Sequence, residues 1–201
     1  MRIFAFTDLH LFEKINEKID LIKKSVEKNK PDLIVCCGDL TIFGENLNKI
    51  LKKISELGNK ILIIHGNHED VLDLYNKSKK FKNLIFLHKK IFYYNDYLFL
   101  GFGGGGFAKR ELDFEEWIKN IEDEIKNKKI ILITHAPPYG TKLDLVNGFH
   151  IGCKSFTEFI KKFKVILSIS GHLHENFYLT SKFGKTILIN PGPKGKIIEI
   201  K

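Results

Sequence analysis

The sequence predicts an α/β protein with a parallel sheet. In its first half, short apolar runs alternate with segments carrying one apolar stripe at helical spacing. In its second half, apolar runs and turn residues recur more densely, which points to a second sheet region. The chain has 201 residues, 43% of them hydrophobic and 28% charged, so it can bury a real core, and disordered, collagenous and low-complexity classes are excluded.

Residues 2–7 form a short buried strand. Residues 13–29 then place Ile15, Ile19, Ile22 and Val26 on one helical face. A strand over 32–37 follows Pro31, and a helix over 45–57 aligns Leu47, Ile50, Leu51 and Ile54. Residues 60–64 make a strand after Gly58-Asn59. A short helix over 70–77 and a strand over 84–87 come next, then strands 91–94 and 97–100 flanking an Asn95-Asp96 hairpin turn. The helix predicted over 112–127 carries Trp117, Ile118, Ile121 and Ile125. A strand over 129–134, a helix over 156–163 and a strand over 165–170 follow. The tail reads as strands near 176–180, 186–190 and 196–200, separated by Lys-Phe-Gly-Lys and Pro-Gly-Pro-Lys-Gly turns. No repeat, linker or shift in composition divides the chain, so residues 1–201 read as one domain.

The 33 basic residues exceed the 24 acidic ones, for a net charge of +9, and arginine occurs only at positions 2 and 110. Lysine of this kind covers solvated helix faces, and its field also attracts anions, nucleic acid among them; composition leaves both readings open. No apolar run approaches the roughly 18–20 residues that cross a bilayer. Met1 to His10 contain no signal-peptide core, which reads as a cytoplasmic protein without membrane contact. Cys36 and Cys37 are neighbours in an apolar run and read as buried fillers, and Cys153 has no recognisable partner for thiolate chemistry.

The chemistry lies just beyond strand ends, where loops of open α/β sheets converge on ligands. Asp8-Leu9-His10 follows the first strand, Gly38-Asp39 the second and Gly66-Asn67-His68-Glu69 the third. His135 and Gly171-His172-Leu173-His174 follow two later ones. Carboxylates, a carboxamide and imidazoles in this arrangement have few uses besides metal binding. A lone histidine, Gly-Asp or Gly-Asn is individually weak, being a common turn or surface feature, but the ordered set is specific.

That ordered set resembles the calcineurin-like metallophosphoesterases, and the resemblance spans residues 8–174. It implies a four-layer αββα sandwich of two mixed β-sheets flanked by helices. It also implies two divalent ions: Asp8, His10 and His174 on one, Asn67, His135 and His172 on the other, and Asp39 bridging. His68 would face the scissile phosphate rather than bind metal. Two divalent cations less the charges of Asp8, Asp39 and a bridging hydroxide leave about +1, which attracts a phosphate oxygen. Metal binding lowers the pKa of water from 15.7 to about 7, so hydroxide can attack phosphorus in line near neutral pH. His68 would protonate the departing oxygen or stabilise the transition state. Mixed N/O ligation suits Mn²⁺, Fe or Zn²⁺. The expected function is therefore hydrolysis of a small phosphodiester or phosphomonoester, nucleotides included. The alternatives are a metal-binding scaffold of the same fold, or a nuclease, for whose usual extra domain the chain leaves no room.

One departure stands out. Leu40-Thr41-Ile42 after Asp39 lacks the carboxylate that orients the histidine in the protein-phosphatase branch. Glu69 could replace that support or cap the following helix. Residues 101–106 match Gly-x-Gly-x-x-Gly, but the next strand ends in His135 rather than an acidic residue, so a dinucleotide site is disfavoured. The loop could instead pass beside the metals, with Arg110 as a phosphate contact, or be a mobile surface loop. The segment from His135 to Cys153 is too long for a mere connection, and it resembles the His-x-Gly-Ser stretch of some metallophosphoesterases, with Cys153 where they have serine, making His150 a candidate substrate contact. His65 is expected behind the ligands and His88 on the surface.

Overall fold

A computed structural model describes residues 1–12, 15–58 and 60–200. Its first half runs β1 (Arg2–Phe6), α1 (Ile15–Asn29), β2 (Leu33–Cys36), α2 (Leu47–Ser55), β3 (Ile61–Ile63), α3 (Val71–Ser78) and β4 (Leu84–Phe86). The strands β5 (Lys90–Tyr94) and β6 (Tyr97–Phe102) then precede α4 (Leu112–Ile125) and β7 (Lys129–Thr134). After a small hairpin of β8 (Leu145–Val146) and β9 (Phe149–His150) come α5 (Lys154–Lys162) and β10 (Val165–Ile169). The chain closes with β11 (Thr180–Phe183), β12 (Thr186–Ile189) and β13 (Lys196–Glu199).

Two mixed sheets result. The first has the order β13-β1-β2-β3-β4, with β1 to β4 parallel and β13 antiparallel on the edge. The second has the order β11-β12-β10-β7-β6-β5, parallel in the middle and antiparallel at both edges. Strand side chains alternate faces, and here both faces are apolar, as a sheet covered on both sides requires. Thus Phe4 and Phe6 of β1 pack with Ile19, Ile22, Ile50 and Ile54 of the helices, while Ile3 and Ala5 face the other way. These meet Ile131, Ile133, Leu167 and Ile169 of the second sheet. On its outer side, Leu98, Leu100, Ile130 and Leu132 pack on Phe114, Ile118, Phe156 and Ile160 of α4 and α5. The layers are helix, sheet, sheet, helix, as the sequence led us to expect. Among the described residues, no helix is long and apolar enough to cross a membrane.

Most predicted elements lie within a few residues of their observed bounds. Positions 13 and 14 of the predicted first helix, and Asn59 of the turn before β3, fall outside the described residues. The tail strand expected near 176–180 instead begins at Thr180, after a 3₁₀ turn over His174–Asn176. There the Asn176 amide donates to the carbonyls of Leu143 and Leu145, tying the segment to the neighbouring loop rather than to a ladder. The β8–β9 hairpin was not expected. It turns on Asn147 and Gly148, whose φ values of 51° and 84° suit the left-handed positions of a tight turn.

Candidate metal centre

The five loops that carry the motif meet across the ends of both sheets. The amide of Asp8 donates to the Gly38 carbonyl and that of His10 to the Asp39 carbonyl, each at 3.0 Å, so the first two loops run side by side. The second sheet joins them directly: the His172 amide donates to the Asp8 carboxylate at 3.0 Å, and His135 Nδ1 lies 2.8 Å from the Cys37 carbonyl. Asp8, His10, Asp39 and His172 all adopt left-handed backbone, with φ of 53°, 42°, 52° and 68°. Each such non-glycine residue costs roughly 1–2 kcal/mol, which the surrounding bonds must offset. Two motif glycines are there for close approach. A Cβ on Gly66 would collide with Asp39 Oδ1, and one on Gly171 with Thr7 Oγ1 and Asp8 Oδ2.

The side chains that converge are electron-pair donors facing one another. His10 Nε2 lies 3.2 Å from His174 Nε2, 3.8 Å from Asp8 Oδ1 and 3.6 Å from Asp39 Oδ2; His174 Nε2 is 3.6 Å from Asp8 Oδ1. On the other side, Asn67 Oδ1 lies 3.0 Å from His135 Nε2 and 3.1 Å from His172 Nδ1, and His135 Nε2 is 3.4 Å from Asp39 Oδ2. Since the Cys37 carbonyl can only accept, His135 Nδ1 carries a hydrogen, and Nε2 faces Asn67 and Asp39. Ring nitrogens and oxygens this close need a proton or a metal ion between them. The donor set of carboxylate, carboxamide and imidazole thus fits borderline divalent cations.

Without a cation, protons do part of that work. Burial opposes a charge on His135, yet the hydrogen bond and charge of Asp39 raise its pKa to about 9. Burial likewise works against ionised Asp8 and Asp39, but the His10 and His174 rings beside Asp8, and the His135 ring beside Asp39, hold both carboxyls below the usual range. His172 is pushed down by burial and by the charge of His135. His174 is pushed up by the Asp8 carboxylate beside it.

His68 sits beside this group. Its amide donates to Asp39 Oδ1 at 3.0 Å, and its ring packs between His10 and Phe43, with centroids 4.7 and 4.6 Å away. Its buried Nδ1 has no hydrogen-bond partner among the described residues. Among the described residues, Glu69 supports the site through backbone amides, with no hydrogen bond to the His68 side chain. Its carboxylate accepts from the amides of Asp39, Thr41 and Gly66 and from the Thr41 hydroxyl, bracing the two loops that carry Asp39 and His68. The helix cap is Asp70, which accepts from the Asp73 amide.

The outlying candidates separate. Arg110 is engaged by Glu158 in a two-pronged ion pair at 2.7 and 2.8 Å, and by Glu115. His150 Nδ1 lies 2.8 Å from the fully buried carboxylate of Asp144, which also accepts from the amides of Gly140, Thr141 and Gly152. The 101–106 loop passes the centre: Gly104 donates to the His65 carbonyl, and a Cβ on Gly106 would strike the His172 ring. His65 lies behind Asn67, its Nδ1 3.0 Å from the Gly66 carbonyl. His88, expected on the surface, is instead half-buried against His65 and Phe102 and accepts the Gly103 amide. Burial and the neighbouring His65 lower its pKa to about 4. Cys36, Cys37 and Cys153 are all buried free thiols. Sequence reasoning passed over Thr7, whose hydroxyl donates to Asp8, and Phe177, whose ring stacks on His174 at 4.7 Å.

Comparisons with known proteins agree with this geometry. The family model described as calcineurin-like phosphoesterase matches residues 1–176. An uncharacterized protein of Methanocaldococcus jannaschii is 31% identical, over 98% of this chain and 91% of its own length. A protein of Arcobacter nitrofigilis named as a probable glycerophosphodiester phosphodiesterase is 26% identical over 73% of this chain, which spans 58% of that relative. Among solved structures, TT1561 of Thermus thermophilus superposes with a TM-score of 0.76 at 16% identity, covering 95% of this chain and 88% of that one, which shows a shared fold. With the family model matching most of its length and the ordered motif side chains gathered at one end of the paired sheets, the chain belongs to the calcineurin-like phosphoesterases.

Proposed function

We propose that the chain is a dinuclear-metal-dependent phosphoesterase hydrolysing a small phosphodiester or phosphomonoester. Asp8, His10 and His174 would hold one divalent ion, Asn67, His135 and His172 the other, and Asp39 both. The observation that carries this reading is the convergence of metal-competent atoms: Asn67 Oδ1 with His135 Nε2 and His172 Nδ1, and His10 Nε2 with His174 Nε2. Such ions, when bound, supply Lewis acidity towards a phosphoryl oxygen and an activated water near neutral pH.

The chain's own residues orient and protonate. The Thr7 hydroxyl and the His172 amide occupy lone pairs of Asp8, fixing the direction of the others. Asp39 accepts the His68 amide, so the histidine is positioned through its backbone rather than through a second carboxylate. His68 acts on the ester as a proton donor to the departing oxygen, a role worth roughly 10²–10⁴-fold. A protein similar to this chain is named for phosphodiester hydrolysis, which makes diesters the first substrates to test. The expected result is turnover of a chromogenic phosphodiester that requires Mn²⁺, Fe²⁺ or Zn²⁺ and stops with chelator. Metal-independent turnover, or none on a broad panel of mono- and diesters despite bound metal, would overturn the reading, the latter in favour of a scaffold.

A further inference from the structure

Beside Asp8, His10 and His174 the surface opens into a cavity of about 300 Å³ walled by Leu9, Leu21, Phe177 and Pro193, with Lys18 and Lys194 also lining it. Three features say what belongs there. The first is continuity: Asp8, His10 and His174, the proposed ligands of one ion, form part of the lining, so the cavity lies within reach of a substituent of an ester engaged at the centre. The second is chemistry. A polyol pressed against those apolar side chains would give up hydrogen bonds to water with nothing in return, whereas a flat apolar group would gain contact area. The volume lies at the small end of ligand pockets, roughly 300–1,000 Å³, and suits one ring system.

The third is the state of the wall. Leu21 is 58% exposed on α1, while Ile15, Ile19, Ile22 and Val26 of that helix are buried, so Leu21 lies outside the stripe that holds the helix in place. Phe177 is held by its stack on His174, with an interplanar angle of 28°. Lys18 Nζ donates to the Leu9 carbonyl at 3.1 Å, which keeps an ammonium group beside the cavity to complement an anionic ester.

We propose that this cavity is the specificity subsite of the same centre, and that it takes the flat aromatic group of an ester alcohol, a nucleobase or aryl ring, in preference to a polyol. The assignment rests on the phosphoesterase reading for its kinetic test, and a binding test separates the two. Adenosine 5′-(methyl phosphate) and glycerol 3-(methyl phosphate) present matched alkyl phosphodiesters that differ in the base and sugar. With Mn²⁺, kcat/KM for the adenosine ester should exceed that for the glycerol ester by roughly tenfold or more, the scale of aromatic stacking on a base. Phe177→Ala and Leu21→Asp should each bring that ratio towards unity, and Phe177→Tyr should preserve it. On metal-free protein, adenosine 5′-monophosphate should shift the NMR signals of the Leu21 methyl groups, and glycerol 3-phosphate should not. Equal rates on the two esters, or a ratio untouched by both Phe177→Ala and Leu21→Asp, would overturn the subsite. If no ester is hydrolysed, the enzymatic reading fails, and the Leu21 signals alone decide: a shift upholds the subsite and its absence ends it.

Discussion

Replacing Glu69 by alanine tests how the centre is held together before any metal binds. Its carboxylate is buried and accepts from the amides of Asp39, Thr41 and Gly66, so the substitution leaves three backbone donors without that acceptor. Each buried donor deprived of its partner costs roughly 1–3 kcal/mol. With some relief from water entering the vacated space, about 3–6 kcal/mol of stability should be lost. For a chain of this length that is a fall in Tm of roughly 6–24 °C, at about 2–4 °C per kcal/mol. Glu69→Gln should fall between wild type and alanine, since it keeps the shape but turns an NH₂ group towards donors. Differential scanning calorimetry of metal-free protein reads both. A Glu69→Ala fall of less than roughly 3 °C would refute the bracing role, because the loops would then be held by other contacts.

Other predictions follow from the same geometry. His68→Ala should retain metal, measured by equilibrium dialysis, while turnover of a phosphodiester drops roughly 10²–10⁴-fold; Asp39→Asn should lose both. Gly66→Ala should weaken metal binding in the same dialysis experiment, since the added methyl collides with Asp39 Oδ1. Stability of the metal-free protein should fall with rising pH between about 6.5 and 9, because His135 binds its proton more tightly folded than unfolded. It should also fall as pH drops from about 6.5 towards 4, because His88 resists protonation only when folded. Urea unfolding across pH checks both limbs, with His135→Asn flattening the alkaline one and His88→Gln shrinking the acid one. Arg110→Ala should change KM by less than about twofold, since its guanidinium is already engaged by Glu158 and Glu115.

How far these features were legible in the sequence depends on the range of the forces involved. The strands were readable because β1, β2 and β7 are short runs apolar on both faces, Ile3 and Phe4 as much as Ile130 and Ile131, whereas the four-layer order came from the resemblance to the family. The candidate ligands were readable because loops at strand ends carry them in a fixed order. Glu69 was singled out, but its bracing contacts were not legible, since its partners Asp39 and Thr41 lie some thirty positions earlier and are bound through backbone amides, which no residue type advertises. His88 looked like a surface histidine because its burial depends on Phe102 and Gly103 arriving from the far end of β6. Arg110 reads as an anion contact in isolation, and only the fold brings Glu158 of α5 against it. The β8–β9 hairpin is a different case. Its Asn-Gly signal is local, but two-residue strands carry no periodicity to draw attention to it.

Crystals of the protein equilibrated with Mn²⁺ and measured at a wavelength where manganese scatters anomalously would locate the ions themselves. Two peaks are expected roughly 3.5–4 Å apart, with Asp39 shared between them, His10 and His174 on one side and Asn67, His135 and His172 on the other. A single peak, or peaks that leave Asp39 without a metal contact, would contradict the two-ion centre.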